Sequence, residues 1–252
     1  MRKPIVVGNW KMHKTVQESV ALVEELKPLV ADVQEVEIGV CPPFTSLSDV
    51  SKVLEGSKVH LGAQNMYWEP QGAYTGEISA GMLLAVGCKY VIIGHSERRS
   101  YFGETDEWVN RKVKAALDAG LVPIVCVGET LEQRQKGITR EVVDRQVTEG
   151  LKGLSPEQVA GMVIAYEPVW AIGTGLTAKP EQAQEVHSFI RRRLEELFGE
   201  EAARSVRIQY GGSIKPENAG ELFAQPDVDG GLVGGASLKA DSFARIIRAA
   251  IR

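Results

Sequence analysis

The residues best suited to chemistry sit in one stretch, Ala165-Tyr166-Glu167-Pro168-Val169-Trp170-Ala171-Ile172-Gly173-Thr174-Gly175. An apolar run ends there in a carboxylate that a proline follows at once. Pro168 fixes its own φ and pushes Glu167 out of the helical region, so this acid stands on extended backbone. Residues 169–172 are too apolar for an ordinary solvated loop, and Gly173 and Gly175 add conformational freedom. A segment that is stiff at one end, permissive at the other and apolar between can close over a ligand and exclude water. The spacing therefore predicts a general base, Glu167, under a lid at 168–175. Desolvation beneath such a lid makes a carboxylate more basic, which suits proton abstraction near neutral pH.

Partners for that base are found elsewhere in the chain. His95 follows the apolar run Val91-Ile92-Ile93-Gly94, and Ser96-Glu97-Arg98-Arg99 reads as a helix start. The positive end of a helix disfavours imidazolium, and a neutral imidazole can donate a hydrogen bond to a developing oxyanion. His13, His60 and His187 lack such a setting and are read as structural. Lys11, in Gly8-Asn9-Trp10-Lys11-Met12, offers a cation for a phosphate or an enolate, with Glu97 as its natural carboxylate partner. The pairs Gly211-Gly212 before Ser213, and Gly234-Gly235 before Ala236, suit backbone binding of a phosphate. Gly173-Thr174-Gly175-Leu176-Thr177-Ala178 matches a dinucleotide fingerprint, but six residues separate it from its strand, so a nucleotide site is rejected. No cluster has metal-ligand spacing, and no nucleophile elbow occurs.

These residues need a frame. Short apolar runs at 5–9, 37–41, 59–63, 90–94, 122–127, 162–166, 206–210 and 230–233 are apolar on both faces, as parallel strands covered on each side must be. Helical signals separate them. Thr15 caps a face of Val16, Val20, Val23, Leu26 and Val30; Ser155-Pro156-Glu157-Gln158 is a capping box with proline in the first turn. Trp108, Val113, Ala116 and Leu117 mark another helix, and Val186, Phe189, Ile190, Leu194 and Leu197 a long one. Eight strand–helix pairs without a linker predict one domain over 1–252, a (β/α)8 barrel of eight parallel strands ringed by helices, whose usual length is about 250 residues. An open doubly wound sheet is the alternative, since pattern alone does not reveal closure. On a barrel, chemistry belongs at the C-terminal strand ends. Asn9, Lys11, Gln64, Asn65, His95, Glu97, Glu129, Glu167, Ser213, Gly234 and Gly235 all fall there.

Composition narrows the functional classes. The 252 residues are 44% hydrophobic and 25% charged, the balance of a globular protein. A formal charge of −4 offers no basic face to nucleic acid or anionic membrane, so an anionic substrate must be caught locally. No run has the length of a membrane span, and residues 1–5 lead into a strand with no signal-peptide core. Cys41, Cys88 and Cys126 are odd in number and widely spaced among apolar neighbours, which predicts reduced, buried thiols and a cytoplasmic protein. Arg191-Arg192-Arg193 reads as a solvated run. The loop at 65–76 is long and rich in aromatics for a strand–helix connection, which predicts docking into a second subunit over packing on its own barrel.

Taken together, Gly8-Asn9-Trp10-Lys11, Gly62-Ala63-Gln64-Asn65, Gly94-His95-Ser96-Glu97-Arg98-Arg99, the 165–175 stretch and Tyr210-Gly211-Gly212-Ser213 closely resemble, in order and spacing, the signatures of the triosephosphate isomerase family. The resemblance runs along essentially the whole chain. It implies a TIM barrel that interconverts dihydroxyacetone phosphate and D-glyceraldehyde 3-phosphate, in glycolysis and gluconeogenesis, without cofactor or metal. It further implies Glu167 as the base shuttling a proton between C1 and C2, and neutral His95 as the electrophile. Asn9 and Lys11 would stabilise the enediolate, with Glu97 supporting Lys11. Gly173, Ser213, Gly234 and Gly235 would hold the phosphate. The family's usual homodimer would place Thr75, in loop 65–76, near the partner's site. Two rivals remain: a Schiff-base aldolase, which would want a lysine at an inner strand end, and a non-catalytic phosphate-binding module, which would have no use for Glu167, His95 and Lys11 together.

Overall fold

A computed structural model of the chain describes residues 2–172 and 177–252. Its strands are β1 (Ile5–Asn9), β2 (Glu37–Cys41), β3 (Val59–Ala63), β4 (Cys88–Ile93), β5 (Val122–Val127), β6 (Val163–Tyr166), β7 (Arg207–Tyr210) and β8 (Gly230–Val233). Between and after them run α1 (Val16–Val30), α2 (Leu47–Leu54), α3 (Ala80–Ala85), α4 (Ser96–Phe102), α5 (Asp106–Ala119), α6 (Leu131–Gln135), α7 (Thr139–Gly150) and α8 (Pro156–Ala160). The ring is completed by α9 (Pro180–Phe198), α10 (Glu200–Ser205), α11 (Ala219–Phe223) and α12 (Ala240–Arg248). Among the described residues no helix is long and apolar enough to cross a membrane.

All strand pairs are parallel, and β1 pairs with both β2 and β8, so the sheet closes on itself. That decides for the barrel over the open sheet. Two apolar layers follow from the pleat, because successive residues of a strand face opposite ways. Ile5, Val7, Tyr90, Ile92, Ile124, Cys126, Val163 and Ala165 fill the barrel. Val6, Val91, Ile93, Val125 and Ile164 point outward into the shell beneath the helices. At the seam, Gly230 has φ +128°, and a Cβ there would stand 2.0 Å from the Ile5 carbonyl oxygen, so closure needs a glycine.

Local signals match the helices they were read from. Thr15 and Ser155 both close complete capping boxes, and Thr105 caps α5. The fourth strand is shifted: it starts at Cys88 and stops at Ile93, and the N–H of Gly94 turns instead to Glu104 Oε1 at 3.2 Å. The three cysteines are free and buried.

One expectation is overturned. Arg191 is not solvated: its guanidinium lies 2.9 Å from Asp227 Oδ1 and 2.7 Å from Asp229 Oδ2, and donates to the carbonyls of Ala203 and Val206. It ties α9 to the segment entering β8. The partners lie 36 and 38 residues away, beyond any local pattern. Arg193 pairs with Asp144 and Glu196, and is less enclosed than Arg191, while Arg192 is exposed, as expected of a solvated residue.

Candidate active site

The C-terminal ends of β1, β6, β7 and β8, with the segment after β4, open on one cavity of about 490 Å³. Asn9, Lys11, His95, Glu167, Ile172, Ser213, Gly234 and Gly235 all line it. Sequence positions as distant as 9 and 235 meet because every barrel strand delivers its last residue to the same rim.

Glu167 follows β6 directly and is 2% exposed. Its backbone N–H extends the ladder to the Val127 carbonyl at 2.7 Å. Its carboxylate is held on both oxygens: Oε1 lies 2.8 Å from His95 Nε2, and Oε2 accepts from the Ser96 N–H at 2.9 Å. His95 is the N-cap of α4, and its Nδ1 accepts from the Glu97 N–H at 3.2 Å. With Nδ1 an acceptor, the remaining proton sits on Nε2, and the ring donates that proton to Glu167.

The electrostatics differ from the expectation for an isolated buried acid. Burial pushes the Glu167 carboxyl up, but the electrostatic pull and hydrogen bond of His95, then the Ser96 N–H and Lys11, outweigh it, and the net displacement is downward. His95 moves the opposite way: burial lowers it, and the charge and hydrogen bond of Glu167, with Glu97, raise it. The base is thus held ionised by its own electrophile. The helix terminus meets His95 through the Glu97 N–H, yet the imidazole is displaced upward, against the expectation that the helix end would disfavour its charged form.

Lys11 sits at φ 53°, an uncommon backbone for a residue with a side chain. The Asn9 side chain accepts its N–H at 3.0 Å, and Gln64 donates to its carbonyl at 2.8 Å, which together fix that conformation. Its ammonium then reaches Glu97 Oε1 at 2.7 Å, facing the cavity. Gly235 opens a short 3-10 turn, Gly235–Leu238, and Ser237 secures it by donating from its backbone N–H and its hydroxyl to the Gly234 carbonyl. Gly173 and the rest of 173–176 lie outside the described residues.

Glu129 has a larger part than its place at a strand end suggested. Buried behind β5, it accepts from the Tyr166 hydroxyl at 3.1 Å and from Trp170 Nε1 at 3.0 Å, and pairs with Arg134 at 3.2 Å. The Val169 N–H donates to its carbonyl at 3.1 Å. It anchors the first residues of the expected lid. The isolated aromatic Trp170 was the available signal, since a buried indole N–H seeks an acceptor.

The aromatic loop 65–76 stacks on itself. Tyr67 meets Trp68 and Tyr74 with centroids 4.0 and 4.7 Å apart, and Trp68 meets Trp108 of α5 edge-on at 5.4 Å. Thr75 is exposed.

The family profile described as "Triosephosphate isomerase" matches residues 4–250. A protein named triosephosphate isomerase from Carboxydothermus hydrogenoformans is 60% identical over 251 residues, covering 100% of both chains. Proteins of the same name from Moorella thermoacetica and Thermoanaerobacter pseudethanolicus are 60% and 59% identical over 247 residues, covering 98% of this chain and 98% and 99% of theirs. With the closed eight-stranded barrel and a carboxylate–imidazole pair at its mouth, these similarities identify the chain as a member of the triosephosphate isomerase family.

Proposed function

We propose that the chain interconverts dihydroxyacetone phosphate and D-glyceraldehyde 3-phosphate by proton transfer through an enediolate. The observation that carries the reading is the Glu167–His95 contact at 2.8 Å in a cavity that also holds the Lys11 ammonium. Abstraction of a proton beside a carbonyl needs a base on one side and oxyanion stabilisation on the other.

Glu167 and His95 satisfy each other, so the substrate has to come between them. Its carbonyl oxygen replaces Glu167 as acceptor of the His95 Nε2–H. Glu167 then loses the strongest of the influences that lower its pKa and keeps the burial that raises it, so binding makes the base stronger when it is needed. Glu167 removes a proton from C1 and returns it at C2, while His95 gives its Nε2 proton to the oxygen on C2 and takes back the hydroxyl proton from the oxygen on C1. His95 polarises the carbonyl, and Asn9 and Lys11 stabilise the enediolate charge. Glu97 keeps Lys11 aimed into the cavity. The phosphate is held by backbone groups of Ser213, Gly234, Gly235 and Gly173. General-base catalysis is worth roughly 10²–10⁴-fold, so fixed charges and exclusion of water by the 168–175 segment supply much of the rest.

The whole chain, 1–252, works as one domain in this reading, and two copies form a homodimer through loop 65–76. A groove of about 180 Å³ beside Lys11 and Glu97, lined also by Met12, Phe44 and Phe102, supports that arrangement, since it suits the tip of a partner's loop with Thr75. Met12 is 95% exposed in the single chain, which an apolar interface would cover. Buried free cysteines support a reducing compartment, the cytoplasm. The test is turnover of dihydroxyacetone phosphate by the purified chain, coupled to a dehydrogenase that consumes the aldehyde product. Turnover with the phosphorylated ketose and little with dihydroxyacetone itself is expected; no turnover refutes the assignment.

A further inference from the structure

The lid's root rests on Gly128 and on a residue from the helical ring. A Cβ at Gly128 would lie 1.7 Å from the carbonyl oxygen of Glu167 and 2.6 Å from its carbonyl carbon. No side chain fits there, so the two backbones are in direct contact. The parallel ladder carries on past the end of β6: Glu167 donates to Val127 and Val169 donates to Glu129. These bonds use alternate residues of the β5 side, and the N–H and C=O of Gly128 point the other way. That is the side of β4, but β4 has stopped at Ile93 and the chain has turned into α4. Gly128 is therefore left without a strand partner at a crowded point of the rim, where unmade backbone bonds are costly.

Gln146 of α7 takes the missing strand's place. Its Oε1 accepts the Gly128 N–H at 2.7 Å and its Nε2 donates to the Gly128 carbonyl at 3.2 Å. Gln146 is 5% exposed. One planar amide pins one peptide in both directions, as a neighbouring strand would. Through Gly128 it fixes the height of the Glu167 backbone and the position of Glu129, which holds Trp170. We infer that Gln146 is a positioning residue for the reaction: it touches no substrate, and it sets where the base and the first residues of the lid stand by bonding both backbone groups of Gly128.

This inference rests on the proposed isomerase reading, and the experiment separates the two. Wild-type turnover tests the reading; two variants test Gln146. Gln146→Leu loses both bonds, and the near-isosteric Gln146→Glu retains an acceptor for the N–H but loses the donor to the carbonyl. Each is assayed for kcat and KM separately and for inorganic phosphate released per aldehyde formed, at a temperature where circular dichroism shows it folded. A displacement of about 1 Å at a reacting group costs on the order of 10²-fold. The expected result is kcat lowered about 10–100-fold in Gln146→Leu and less in Gln146→Glu, with KM changed little. More phosphate is lost by elimination, because an ill-seated lid admits water to the enediolate. A purely structural role would lower thermal stability and leave kcat and the phosphate ratio of the folded enzyme at wild-type values, and that result overturns the inference.

Discussion

At the scale of single residues, the base and the electrophile are set against each other until substrate separates them. His95 is the largest of the influences that lower the Glu167 pKa, opposing burial. Replacing His95 with Gln weakens that interaction while burial stays the same, so the Glu167 pKa rises. The acidic limb of kcat/KM reports ionisations of the free enzyme. In His95→Gln that limb moves to higher pH than in wild type, besides any loss of rate; a limb that stays put, or moves to lower pH, contradicts the pairing. Glu167 was legible because a lone carboxylate between an apolar run and a proline has few structural uses. Its depressed pKa was not, because that depends on which oxygen faces His95 and on the Ser96 N–H, and both arise only when the barrel brings the ends of β4 and β6, on either side of β5, to one rim.

At the scale of elements, strand positions were readable because strands buried on both faces must be apolar throughout, and five of the eight fall at the expected residues. β4 shifts at both ends, and β6 and β7 start one residue late because the N–H groups of Met162 and Val206 donate back to the carbonyls of Val159 and Ala202. Ties between elements were not readable. Arg191 reaches Asp227 and Asp229 across the fold, and Glu37 at the start of β2 collects Lys89 at 2.5 Å together with the Tyr90 hydroxyl and Arg207. Burial alone would raise the Glu37 carboxyl, but these three partners bring it down to about 2 from an ordinary 4.5. A carboxylate whose folded pKa lies below its unfolded one contributes stability that is complete above the unfolded value. That contribution fades as pH falls from about 4.5 to about 2. Glu37→Gln should lower the thermal midpoint at pH 6 and narrow its gap from wild type as pH drops through 4. A gap that stays constant with pH would show that Glu37 carries no such linkage.

At the scale of the whole molecule, closure of the sheet converts separated motifs into a site. Asn9, His95, Glu167 and Ser213 share one cavity only because β8 pairs back to β1. The overall charge of −4 offers the substrate no global attraction, which leaves capture to Lys11 and the glycine turns at the rim. The proposed dimer adds a second level: Thr75→Arg places a charged side chain at the tip of the loop meant for a partner. It is expected to shift the sedimentation profile toward monomer and lower activity, and an unaltered dimer with full activity would remove loop 65–76 from the interface. The most direct measurement follows the proton itself. Dihydroxyacetone phosphate is turned over in heavy water, and the aldehyde is trapped and examined for deuterium at C2, with wild type and Glu167→Gln side by side. Transfer by an ionisable carboxylate predicts deuterium at C2 in part of the wild-type product, and in Glu167→Gln a loss of turnover on the order of 10²–10⁴-fold. Turnover by Glu167→Gln at the wild-type rate with the same labelling would mean that another group removes the proton.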